Sequence, residues 1–145
     1  MATTYNFTDG TIAGVPIPTQ HTLDENQPFI VRHIIDLTKQ NLSHSATDVG
    51  QVLIIPAGTT VLTAWIRIIT AGTTSATCTL GTGVSAAVWG TGLALDTAAG
   101  GILGRLVVPQ YFAAADTVDI VVGGATDILG KYEVCALCLK SLNTY

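Results

Sequence analysis

The sequence predicts an all-β protein, an antiparallel β-sandwich or jelly roll preceded by an extended N-terminal arm. Roughly six to eight strand-like segments recur at a spacing of about 10–15 residues, with Gly, Thr, Ser and Asp between them. No stretch has the periodicity of an amphipathic helix. The 145 residues are the length of one domain. We therefore divide the chain into an arm, residues 1–27, and a sandwich domain, residues 28–145.

The predicted arm, residues 1–27, differs in composition from the rest of the chain. Its stretch TIAGVPIPTQHTLDENQP holds three prolines and little periodicity, which argues against a packed helix or a central strand. Its apolar residues are too many for a solvated tail, so we predict that the arm lies on its own or a neighbouring subunit and contributes to an interface. A disordered terminus is the alternative. The predicted interface residues of the arm are Tyr5, Phe7, Ile12, Val15 and Ile17.

The first strand of the domain begins near Phe29 and shows the alternation of a half-buried strand. The predicted core face is Phe29, Val31, His33, Ile35 and Leu37, and the polar face includes Arg32 and Asp36. KQNLSHSATDVG follows as a loop. Next, QVLIIP predicts a short buried strand, PAGT a turn and TVLTAWIRIITA a second strand. In that second strand, we expect a core face of Leu62, Ala64, Ile66 and Ile68, and a partly wet face of Val61, Thr63, Trp65, Arg67 and Ile69.

The second half of the chain is less regular at its start. ATCTLGTG is of strand type, but residues 83–104 are rich in Gly and Ala and leave open a long loop, a short helix around Leu93–Ala98 or a weak strand. GRLVVPQYF predicts a strand that ends in a turn, and Pro109 suggests a sheet edge. ADTVDIVVGG alternates Val118, Ile120 and Val122 against Asp119 and Val121. GKYEVCALCLKSL predicts a closing strand of about ten residues.

Charge is the unusual feature of the composition. Only 11% of residues are Asp, Glu, Lys or Arg, against 48% hydrophobic residues, where about a quarter charged is ordinary. The folded chain therefore leaves apolar area for a partner to cover, and we expect an oligomer or a component of an assembly. The net charge of −4 and six scattered basic residues argue against nucleic-acid binding. We find neither a membrane-spanning segment nor a secretory signal, and expect synthesis in a reducing cytoplasm.

Candidate chemistry is sparse. Cys135 and Cys138 form a C-x-x-C pair, but only Cys78 remains as a further thiol ligand, and residues three apart on a strand point to opposite faces. We interpret these cysteines as buried and inert. His21, His33 and His44 are widely spaced, and a core position explains His33. Asp116 and Asp119 are weighed as Ca²⁺ ligands against a role in the turn. No local signature of a hydrolase or a phosphate-binding loop occurs, so we expect no enzyme, metal or cofactor.

The two tryptophans are the remaining candidates. Trp65 on the wetter strand face and Trp89 in a Gly-rich segment suit interface anchors or a sugar-stacking platform. Core packing is the alternative, and for Trp65 it weighs equally with an interface.

The segment DVGQVLIIPAGTTVLTAWIRIITAGTTSATCTLGTG, residues 48–83, resembles a unit of small virion proteins of tailed bacteriophages. In that unit a buried strand runs into P-A-G-T, a Val/Thr-rich strand and a T-x-T-x-x-[VL]-G strand. The resemblance extends more loosely into DTVDIVVGGATDILGKYEVCALCLKSL. It implies a capsid decoration (cement) protein or another virion surface component, often a jelly roll that forms homotrimers on the capsid lattice, with arms reaching across subunits.

From these observations we expect a non-enzymatic virion protein that oligomerises and binds the major capsid protein or other virion proteins. The alternative is a carbohydrate-binding or receptor-binding domain of a phage tail or another surface protein, in which Trp65, Trp89 and nearby Asp residues hold a glycan.

Overall fold

The computed structural model describes residues 4–6, 28–39, 42–43, 48–125 and 127–140. Every regular element in this part of the chain is a strand, and two sheets pack face to face, which confirms the predicted β-sandwich. The strands are β1 Thr4–Asn6, β2 Pro28–Asp36, β3 Leu42–Ser43, β4 Val49–Ile55, β5 Thr59–Thr70, β6 Thr77–Thr82, β7 Gly90–Ala94, β8 Ile102–Gly104, β9 Gln110–Phe112, β10 Asp116–Gly123, β11 Asp127–Ile128 and β12 Lys131–Lys140.

The strand order is that of a jelly roll. Sheet I has the order β1-β4-β10-β6-β7, and sheet II has the order β2-β12-β5-β8, with β9 also paired to β5. Four antiparallel pairings lie one inside the other along the chain. They join β2 to β12, β4 to β10, β5 to β8 and β9, and β6 to β7. Such a nested hairpin, folded into two sheets, is the jelly-roll arrangement. A short β3–β11 pair completes the described pairings.

The alternation predicted for the first strand is confirmed in β2. Val31, His33, Ile35 and Leu37 are buried, whereas Ile30 on the opposite face is exposed. His33 therefore occupies a core position, as predicted. The alternation of β10 is also confirmed, because Val118, Ile120 and Val122 all belong to the core.

In the first part of β5, the side chains that enter the core differ from those predicted. Val61 is fully buried and Leu62 is only half-buried, the reverse of the predicted assignment. The pairing with β12 gives the reason: Leu137 lies opposite Thr63 and Cys138 opposite Val61, so Leu62 is the extra residue of a β-bulge. A bulge shifts the phase of alternation by one residue. Beyond it Ala64, Ile66 and Ile68 are buried, as predicted.

The PAGT segment forms the turn between β4 and β5. Gly58 has φ +75°, a left-handed conformation that glycine adopts without a side-chain clash, and its N–H donates to the carbonyl of Phe112 at 2.7 Å. The turn is thereby tied to the end of β9 at the same end of the sandwich.

Residues 83–104 were predicted to form a long loop, a short helix or a weak strand, and they combine loop and weak strands. They contain the weak strands β7 and β8 with turns around them, and no helix forms at Leu93–Ala98. The prediction of one strand over GRLVVPQYF is wrong for most of its length: Gly104 ends β8 and Gln110–Phe112 forms β9, while residues 105–109 belong to no strand. Gly104 and Arg105 both have positive φ, so the chain turns away from β5 at this point.

Part of the predicted arm is described. Thr4–Asn6 runs parallel to β4 at the edge of sheet I, with Tyr5 opposite Gly50. The other arm residues predicted at an interface, Phe7, Ile12, Val15 and Ile17, lie outside the described residues, and so do His21 and His44. The division at residue 27 therefore stays a prediction, although β2 begins at Pro28. No helix among the described residues is long or apolar enough to cross a bilayer.

Candidate assembly surface

The outer face of sheet II is the side of that sheet directed away from the core. Its side chains come from alternate positions of neighbouring strands, aligned by register: Glu133 lies opposite both Ile34 and Arg67, and Cys135 lies opposite both Arg32 and Trp65. The face comprises Ile30, Arg32, Ile34, Thr63, Trp65, Arg67, Ile102, Glu133, Cys135 and Leu137.

This face is mainly apolar. Ile30 is 54% exposed and Ile102 is 43% exposed, and Ile34, Trp65 and Leu137 are half-buried. The outer face of sheet I has a different character, because the corresponding rows across β4, β10 and β6 carry Gln51, Thr77, Thr79, Thr117 and Asp119 together with Val49, Ile54 and Val121. The two sides of the sandwich are therefore unlike, and sheet II presents the surface suited to burial.

An ionic cluster lies within the apolar outer face of sheet II. The Arg67 Nε–H donates to Glu133 Oε2 at 2.8 Å, and an Arg32 terminal nitrogen lies 3.6 Å from Glu133 Oε1. The Glu133 side chain is 10% exposed, against 47% for Arg67 and 69% for Arg32. Two guanidinium groups thus cover one nearly buried carboxylate. No local motif in the sequence marks this cluster, because its three charged residues lie far apart in the chain, on three different strands.

The cysteines are buried, as predicted. Cys138 belongs to the core, whereas Cys135 lies on the outer face beside the ionic cluster, so the C-x-x-C pair is split between the two faces of β12. Burial raises the pKa of Cys138 and of Cys78 to about 12 and that of Cys135 to about 11. A thiol with such a pKa holds little of the thiolate that redox chemistry or metal binding requires.

A second exposed apolar surface lies at one end of the sandwich. This loop-end patch consists of residues from the β6–β7 and β8–β9 connections and from β9: Val84, Leu106, Val107, Val108 and Tyr111. Val84 is 96% exposed and Val107 is 72% exposed. An open pocket of about 310 Å³ adjoins the patch and is lined by Thr82, Val84 and residues 110–116. Asp116 is the one titratable carboxylate in this lining, so the pocket does not bring a set of acid and base groups together.

The two tryptophans occupy different environments. Trp89 is fully buried in the core, and its indole N–H donates to the carbonyl of Val108 at 3.0 Å. Core packing therefore accounts for Trp89, and its side chain offers no surface to a partner or a sugar. Trp65 is half-buried on the outer face of sheet II. A platform made of both rings, which the glycan-binding alternative needs, is not formed.

The candidate metal ligands do not converge in the described part of the chain. No group of three or more His, Cys, Asp or Glu residues there could hold an ion. Asp119 accepts a hydrogen bond from the Thr117 hydroxyl at 2.6 Å, and burial raises its pKa. Among the described residues, no third ligand therefore joins Asp116 and Asp119 to form a Ca²⁺ site.

No protein-family model matches this chain, and no curated protein matches it in sequence. A solved structure does match in fold: a chain of the cyanophage Pam1 capsid asymmetric unit, at a TM-score of 0.59 and 16% sequence identity, over 87% of this chain and 94% of that chain. The likeness is one of fold. It extends over most of the length of both chains.

Proposed function

We propose that this protein is a structural component of a bacteriophage particle, specifically a capsid decoration (cement) protein that forms a homotrimer and binds capsid subunits. The observation that carries the proposal is the fold shared over 87% of this chain with a chain of a phage capsid asymmetric unit. The protein would be made in the host cytoplasm and would act in the virion.

The surfaces of the sandwich support an assembly role. The outer face of sheet II exposes isoleucine side chains to water, and the loop-end patch exposes valine and leucine side chains. Removing apolar area from water contributes about 25 cal/mol per Å² before the costs of association. Many copies on one lattice multiply a modest contact into a large reinforcement of the shell.

A non-enzymatic role is consistent with the described residues. The open pocket beside the loop-end patch gathers no catalytic set, and the buried thiols have raised pKa values. What the fold supplies instead is a rigid two-sheet body with unlike outer faces. A cement protein needs one face toward the shell and others toward solvent or sister subunits.

Purified protein tests the proposal. Sedimentation equilibrium is expected to give three chains per particle, and incubation with phage shells that lack this protein is expected to give shells that carry it and resist heat or chelator treatment longer. A monomer that leaves such shells undecorated would contradict the proposal. Glycan binding by that monomer would favour the receptor-binding alternative.

A further inference from the structure

The ionic cluster on the outer face of sheet II has an excess of positive charge. Arg32 and Arg67 face the single carboxylate of Glu133, so the cluster carries one net positive charge in a chain whose net charge is −4. Two guanidiniums bear about ten N–H donors between them, whereas one carboxylate accepts about four hydrogen bonds. The cluster can therefore bind further acceptors on its solvent side.

The apolar side chains around the ionic cluster would strengthen hydrogen bonds from its arginines to a partner. Ile30, Ile34, Ile102, Trp65 and Leu137 surround it on the same face. A partner that covers these side chains excludes water from the guanidiniums, and hydrogen bonds between charged groups are stronger where water is excluded. Glu133, by contrast, is already nearly buried and keeps both arginines oriented before a partner arrives.

A second copy that presented the same face would fit poorly. A twofold contact centred on this cluster would place the two positively charged clusters against each other. Like charges opposed in a desolvated interface repel each other and disfavour the contact. The complementary surface is one with carboxylates among apolar side chains.

We propose that the outer face of sheet II docks onto an acidic, otherwise apolar surface of a different protein, with Arg32 and Arg67 donating hydrogen bonds to its carboxylates. This inference rests on the proposed function and makes it more specific: the different protein is the capsid subunit, and sheet II is the side that meets the shell. In this arrangement, the loop-end patch and the predicted arm would contact sister subunits.

Two pairs of variants test this inference. Arg32→Gln removes the more exposed arginine and leaves the Arg67–Glu133 hydrogen bond in place, and its control is Lys39→Gln, a comparably exposed cation in the turn after β2. Ile30→Asp places a negative charge on the outer face of sheet II. Its control is Ile54→Asp, an isoleucine of similar exposure on the outer face of sheet I. Circular dichroism melts establish that each variant is folded.

The measurement is the affinity for phage shells assembled without this protein, from 50 to 500 mM NaCl. We expect Arg32→Gln to weaken binding about tenfold or more, with a shallower dependence on salt than the wild type. We expect Ile30→Asp to abolish binding, and both controls to stay within about twofold of the wild type.

Each other outcome overturns a distinct part of the account. If the wild type decorates the shells and Arg32→Gln and Ile30→Asp do so equally well, the assignment of sheet II is wrong while the proposed function stands. If the two variants instead lose the trimer, the outer face of sheet II meets a sister subunit and the inference fails. If the wild type itself ignores the shells, the proposed function and this inference fail together.

Discussion

The Tyr132 ring is enclosed by two glycines near the start of β12. Its hydroxyl donates to the carbonyl of Leu129 at 2.6 Å, and the ring is almost completely buried. A Cβ on Gly72 would overlap this hydroxyl and come within 2.7 Å of the Leu129 carbonyl oxygen, and a Cβ on Gly130 would overlap the same hydroxyl end of the ring. The tyrosine occupies a space that only residues without side chains leave open.

Gly72→Ala is therefore expected to lower the free energy of unfolding by about 1–3 kcal/mol, because the ring cannot move without breaking its hydrogen bond. Urea denaturation measures the change. The control is Gly83→Ala, where a Cβ would find its nearest neighbour, Asp119 Oδ2, at 3.8 Å, and a change below about 1 kcal/mol is expected. Equal effects at both positions would contradict the proposed crowding at Tyr132.

Asp119 is the carboxylate that the fold disfavours in its charged form. Burial raises its pKa, the hydrogen bond from Thr117 partly offsets this, and Asp116 adds a further rise. Because the folded state binds the proton more tightly than the unfolded state, this group favours folding below the unfolded pKa near 3.8, and that contribution is lost as pH rises through the folded pKa.

Asp119→Asn should therefore raise the free energy of unfolding at pH 7, since the amide keeps an acceptor for Thr117 and carries no charge. The advantage over the wild type should shrink as pH falls through the folded pKa and reach its minimum below pH 3.8, where the wild-type carboxyl is protonated in both states. Denaturation curves across this pH range give the difference directly. A difference that is independent of pH would show that charge burial is not its cause.

At the scale of elements, a core tryptophan helps to hold the segment between β8 and β9. Residues 105–109 belong to no strand, and the Trp89 indole N–H holds this segment to the core through the carbonyl of Val108. Trp89→Phe removes that hydrogen bond and part of a fully buried ring. We expect a loss of about 1–3 kcal/mol and faster amide exchange in residues 105–112.

Trp65→Phe is the matched control, because Trp65 is half-buried on the outer face of sheet II. We expect it to change stability by less than about 1 kcal/mol and to leave exchange in residues 105–112 unchanged. Faster exchange in Trp65→Phe than in Trp89→Phe would mean that the segment is anchored elsewhere.

The strands that could be predicted are those whose alternation is unbroken. In β2 and β10 every second side chain enters the core, so periodicity alone assigns their faces. In β5 a bulge at Leu62 inverts the first part of the pattern, and a bulge depends on pairing with β12, which lies about 70 residues away. Residues 105–109 were misassigned for a related reason: Leu106, Val107 and Val108 favour a strand locally, yet the chain turns away from the sheet at Gly104 and Arg105.

At the scale of the whole molecule, the low charge content predicted the existence of an apolar surface but not its position. The outer face of sheet II draws on β2, β12, β5 and β8, and only the register of these strands places Arg32, Arg67 and Glu133 together. The burial of the tryptophans could not be predicted, because an aromatic ring in a Gly-rich segment is compatible with both a core and a surface position. The position of Trp89 follows from tertiary packing that no local pattern records.

The sandwich as a whole has a mixed side rich in threonine, a mainly apolar side and an apolar end. The outer face of sheet I carries threonines and Gln51 beside Val49, Ile54 and Val121, the outer face of sheet II carries isoleucines and the ionic cluster, and the loop-end patch exposes valines and a leucine. A body of this kind gains stability from neighbours in defined directions. That property, more than any single residue, connects the composition to the proposed role.

A cryo-electron microscopy map of phage shells decorated with this protein, as the proposed function expects, tests the central claim most directly. Density of a neighbouring protein is expected to cover Ile30, Arg32 and Trp65, while the exposed side chains on the outer face of sheet I are open to solvent. A map in which the outer face of sheet II is fully exposed to water, with no neighbour against it, would contradict the account.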